Sequence, residues 1–78
     1  MRITEAILNT VRDREPISGK DLIDHVVEHA TIASKSPRRA VRSAINGCVN
    51  RGSVTYVYTE RVYRKGPHFN CYIGGDPT

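Results

Sequence analysis

Apolar residues recur on a helical period in three stretches of this chain and on a two-residue period near its end. In the first stretch Ile3, Ile7, Leu8 and Val11 share one face, which predicts a helix capped by Thr4 and running to about Arg14. Glu15 and Pro16 end it, because the residue before a proline is pushed out of the α region. Ser18 and Asp21 then have the spacing of a capping box, with Asp in place of Glu, and Ile17 and Leu22 occupy the two positions of a hydrophobic staple. Leu22, Ile23, Val26 and Val27 make the buried stripe of this second helix, which is expected to end near Ala30. A short connection, residues 31–35, leads to a third helix. There Ser36 can cap, Pro37 suits the first helical position, and Val41, Ala44, Ile45, Cys48 and Val49 form the apolar stripe. Gly52 supplies the left-handed residue that stops it.

Beyond Gly52 the period changes. Val54, Tyr56 and Tyr58 alternate with Thr55, Val57 and Thr59, and Phe69, Cys71 and Ile73 repeat the alternation, so a β-hairpin is expected with these as its outgoing and returning strands. Residues 60–68, with Arg61, Arg64, Lys65 and the Gly66–Pro67 turn signal, form its expected cationic tip. Glu15 to Ser18 leaves room for no more than a vestigial strand between the first two helices. Gly47 falls inside the third helix, where glycine costs about 1 kcal/mol relative to alanine. Either it permits close packing against a neighbouring helix or the helix ends early. The pattern thus predicts a single α+β domain over residues 1–73, a three-helix helix-turn-helix core followed by a C-terminal hairpin, with residues 74–78 as a short flexible tail.

With 78 residues the chain can bury one small core, and nothing is left over for a separate catalytic domain. No enzymatic activity and no cofactor are expected. The net charge of +4 is unevenly placed: residues 1–30 carry −2 and residues 31–78 carry +6. A basic second half on an acidic scaffold suits a polyanionic partner. Cys48 and Cys71 make no disulfide framework, no stretch resembles a secretory signal, and no apolar run could cross a membrane. The expected location is therefore a reducing cytoplasm, with no membrane partner.

The third helix concentrates the candidate chemistry. Opposite its apolar stripe lie Arg39, Ser43, Asn46 and Asn50, with Arg38 and Arg42 on the flank. Arginine can read guanine and asparagine adenine through paired hydrogen bonds, so Arg39 and Asn46 have the side chains of base readers. Ser43 is small enough to allow close approach. Three helices followed by a hairpin, with the third helix basic, resembles the winged helix-turn-helix DNA-binding family over residues 3–73. The resemblance implies that the third helix enters the major groove of double-stranded DNA and that the hairpin, the wing, touches the backbone or minor groove. It further implies that Arg39, Ser43, Asn46 and Asn50 face bases, while Lys35, Arg38, Arg42, Arg61, Arg64 and Lys65 hold phosphates. Small chains of this kind are often phage- or plasmid-type transcriptional regulators or accessory factors. The same basic face would also serve a protein-interaction module with an acidic partner, and a homodimer would have to use helix one, the hairpin edge or the tail.

Two other groupings weaken on inspection. His25-Val26-Val27-Glu28-His29 matches the His-x-x-Glu-His pattern of inverted zinc peptidases, and the histidines lie one helical turn apart. With no third ligand in evidence and no substrate cleft in a chain of this length, the pair is expected to complement the helix dipole, and no metal site is expected. Cys48 and Cys71 fall on apolar faces and read as buried thiols. Tyr56, Tyr58, Tyr63 and Tyr72 read mainly as strand packing, with at most one or two offering a hydroxyl to phosphate.

Overall fold

The elements run α1 (Ile3–Arg14), β1 (Ile17–Ser18), α2 (Gly19–His29), α3 (Pro37–Arg51), β2 (Val54–Val57) and β3 (Val62–Lys65) in a computed structural model that describes residues 2–69. The fold is α+β: a three-helix helix-turn-helix core followed by a β-hairpin wing. The three helices contact one another, and the small sheet closes over α1 and α3. The core is the one that the periodicity marks out. Ile7, Leu8, Val11, Leu22, Ile23, Val26, Val41, Ile45 and Cys48 are buried together with Ile17, Val54 and Phe69.

Helix boundaries follow their local chemistry, with two corrections. Helix α1 starts two residues earlier than expected: Arg2 is at the N-cap, its carbonyl accepts from the Ala6 N–H at 2.9 Å, and Thr4 sits inside the first turn. The reason is Ile3, whose packing against the core draws it into the helix. At α2 the Ser18 hydroxyl accepts from the Asp21 N–H at 3.2 Å, and Ile17 and Leu22 are both buried. At α3 Pro37 takes the first turn, but the Ser36 side chain makes no cap hydrogen bond. Its backbone ψ of 75° lies outside the extended region that aims a cap hydroxyl at the helix, and the Ser36 N–H instead donates to the Ser34 hydroxyl at 3.2 Å. Gly52, at φ 82°, closes α3 in the left-handed conformation. Gly47 does not interrupt the helix. A methyl group there would meet only the Arg51 guanidinium, at 3.5 Å, so no neighbouring helix requires the glycine.

The sheet differs most from expectation. Its order is β1-β3-β2, all antiparallel, so the two-residue β1 joins the wing as a third strand through Ile17 and Ser18 opposite Tyr63 and Val62. The strand that returns along β2 is Val62–Lys65, not the segment beginning at Phe69. Register pairs Val54 with Lys65, Thr55 with Arg64, Tyr56 with Tyr63 and Val57 with Val62. The turn is therefore residues 58–61, closed by Arg61 N–H donating to the Val57 carbonyl at 2.7 Å with Arg61 at φ 57°. Arg64 and Lys65 lie on a strand rather than at a tip. The Gly66–Pro67 signal is used elsewhere: Gly66 N–H donates to the Ser53 carbonyl and His68 N–H to the Gly52 carbonyl, both at 2.9 Å, bringing the chain back against the end of α3. Cys71, Tyr72, Ile73 and the expected tail lie outside the described residues.

Candidate nucleic-acid interface

The outward face of α3 is a continuous polar strip. Arg38, Arg39, Arg42, Ser43, Asn46 and Asn50 are all exposed, while Val41, Ile45 and Cys48 on the other side are buried. From Arg39 to Asn50 the strip covers about 16 Å of helix, at ~1.5 Å per residue. Arg38, Arg39 and Arg42 also line a cleft of about 250 Å³ with Ile23 of α2.

The cations fall into two groups. Arg38 is held by Asp24 of α2, whose carboxylate also pairs with Lys20 at 3.1 Å. Hydrogen bonds from Arg38, and then from Lys20, hold the Asp24 carboxyl below the usual carboxylate range. Arg64 pairs with Glu60 at 3.3 Å. Lys65 is turned toward the end of α1, where Glu15 accepts its backbone N–H at 3.0 Å and pairs with its ammonium at 3.3 Å. The Lys65 ammonium also lies 5.6 Å from the centre of the Phe69 ring. Among the described residues no carboxylate pairs with Lys35, Arg39, Arg42 or Arg61. These four leave their charge available to an external anion, and the other three spend part of theirs inside the fold.

The wing adds an aromatic cluster beside this strip. Tyr56 stands 4.9 Å from Tyr58, edge to face, and 4.7 Å from Tyr63, centre to centre. Tyr58 is 83% exposed, so it is not a packing residue. Burial and the neighbouring Tyr56 phenol push the Tyr63 hydroxyl pKa up, and the positive charge of Arg42 opposes the rise. Helix α3 itself packs against β2, the strand that carries Tyr56. On the alternate face of β3, opposite Thr55, sits Arg64. The structure thus brings Arg39, Arg42, Ser43, Asn46 and Asn50 onto the exposed face of α3 and sets Lys65 apart against Glu15. The sequence pattern missed the exposure of Tyr58. Its signal was available: a tyrosine two residues beyond Tyr56 continues the same face past the end of the strand.

Comparison of the chain with protein-family models, curated proteins and solved structures gives no significant match. No helix among the described residues is long and apolar enough to cross a membrane.

Proposed function

We propose that this protein binds double-stranded DNA in a sequence-dependent way, with α3 in the major groove and the wing on the backbone. The observation that carries the reading is the α3 strip. One face of a 15-residue helix is buried, and the other presents arginine, serine and asparagine to solvent without a carboxylate among them. A groove-reading helix needs donors and acceptors for base edges and cations for phosphates, and the strip offers both. Arg39 and Ser43, nearest the helix start, are the leading base readers, since helix-turn-helix units contact bases chiefly through the first turns of the recognition helix. Arg42, Lys35 and Arg61 supply phosphate contacts, and the exposed Tyr58 adds a hydroxyl at the wing turn. The resemblance to winged helix-turn-helix proteins supports a role as a small regulator of transcription or an accessory factor of phage or plasmid type. A reducing cytoplasm fits the buried free thiol of Cys48.

The test is binding to a labelled duplex pool, followed by selection of preferred sites. Arg39→Ala is expected to cost about 1–3 kcal/mol and to relax preference at one position, as loss of a paired base contact does. Arg61→Ala is expected to weaken all sequences alike. Absence of binding at low salt, with capture of an acidic protein through the same face, would replace this reading with the protein-interaction one.

A further inference from the structure

We propose that His25, Glu28 and His29 form a surface site for a divalent transition-metal ion of the zinc class, on α2 and apart from the α3 strip. The three side chains occupy positions i, i+3 and i+4 in the last turn of the helix, and their ligand atoms lie within 4.8 Å of one another. A zinc ion with donors at about 2.0–2.2 Å draws those atoms closer together. Glu28 and His29 are exposed and His25 is only half-buried, so modest side-chain rotations close the gap.

The tautomer of His29 is already set for coordination. Its Nδ1 lies 2.8 Å from the His25 carbonyl oxygen, an acceptor only, so Nδ1 carries the proton and donates it. The lone pair then sits on Nε2, free for a metal, and a backbone acceptor behind a ligating histidine is the usual support for such a site. The two imidazoles stack with centres 4.1 Å apart and planes 27° apart, which holds them side by side on one edge of the helix. Two imidazole nitrogens and one carboxylate oxygen favour zinc, copper or nickel over the all-oxygen ions calcium and magnesium. The surroundings add one further carboxylate: His25 and Glu28 line a groove of about 560 Å³ with Asp21 and Arg14, while Asp24 in the same groove is already paired with Lys20 and Arg38.

Bound metal would clip the last turn of α2, immediately before residues 30–36 lead into α3. Because the unfolded chain does not hold the three ligands together, binding would stabilise the fold.

Calorimetric titration of the full chain with zinc chloride, in a non-coordinating buffer near neutral pH, tests the proposal. One zinc ion per chain is expected, with affinity falling at least tenfold in His25→Ala and in His29→Gln, and less in Glu28→Gln. Circular dichroism checks that each variant keeps its helices, and in wild type zinc should raise the melting temperature. His68→Ala and Cys71→Ser serve as controls for other donors and should bind as wild type does. No saturable binding in wild type up to about 0.1 mM zinc would overturn the proposal, being weaker than about −5.5 kcal/mol. So would affinity unchanged in both histidine variants, or affinity lost only in the two controls.

Discussion

Gly66, beyond β3, and Gly47, inside α3, face very different surroundings, and the difference is large enough to measure. A methyl group on Gly66 would lie 2.1 Å from the Gly52 carbonyl oxygen, a backbone atom that cannot swing away. Gly66→Ala must therefore push the wing off the end of α3, and about 2 kcal/mol or more of stability should be lost, in the range of strained backbone sites. At Gly47 the new methyl meets a flexible guanidinium at ordinary contact distance, so Gly47→Ala should gain about 1 kcal/mol from helix propensity. Urea unfolding of the two variants measures both, and equal effects would contradict this account of the packing. Arg61 poses a different question, since its φ of 57° is the conformation that glycine adopts freely and arginine does not. Arg61→Gly should stabilise the hairpin by up to about 1 kcal/mol while weakening DNA binding. Opposite signs for stability and affinity would mark Arg61 as kept for contact rather than for the turn.

The elements themselves show why some of this fold was legible in the sequence and some was not. Helix α3 declared itself because an apolar stripe on a 3.6-residue period is bounded by Pro37 and Gly52, and both positions have a local physical reason. The returning strand did not, because Val62–Lys65 mixes two cations with two apolar residues and its turn has no glycine, only Arg61 in a left-handed pose. Gly66–Pro67 resembled a hairpin turn, yet Gly66 serves a close approach to Gly52, a tertiary contact invisible to local pattern. The exposed polar face of α3 was likewise readable from periodicity. The partners of its neighbours were not: Arg38 finds Asp24 fourteen residues away and Lys65 finds Glu15 fifty residues away. The second of these joins α1 to the wing and carries a pH signature. Hydrogen bonding from the Lys65 backbone N–H, and then from its ammonium, lowers the Glu15 pKa below the usual carboxylate range. A depressed carboxylate contributes stability at neutral pH that is lost as pH falls through the folded-state value. Glu15→Gln should therefore lower the urea midpoint at pH 7 and leave a shallower decline toward pH 3 than wild type has. Parallel pH profiles for the two proteins would mean that the Glu15–Lys65 junction does not couple to folding.

Charge is separated along the chain, and two carboxylates of the first half, Glu15 and Asp24, are internal partners for Lys65 and Arg38 of the second. On the proposed reading, that arrangement makes the DNA affinity adjustable from the far side of an ion pair. Among the described residues Lys35, Arg39, Arg42 and Arg61 are free of carboxylates, and three or four phosphates neutralised would give a log–log salt slope of about −2.7 to −3.6, each contributing roughly −0.9. Asp24→Asn releases Arg38, which lies on the flank of the same strip, together with Lys20 on α2. The variant should bind duplex DNA more tightly at low salt, with a slope steeper by about 0.9, while melting slightly earlier because α2 and α3 lose their link. Glu15→Gln releases Lys65 instead, on the α1 side of the wing and away from the strip, and should leave the slope almost unchanged. The contrast between the two variants tests orientation rather than net charge, since each removes one negative charge from the chain. Equal steepening in both would mean that DNA responds to the total charge of the protein, and α3 would lose its claim to the groove. Steepening in Asp24→Asn alone would place the flank of α3 against the phosphates, as a helix seated in the major groove requires.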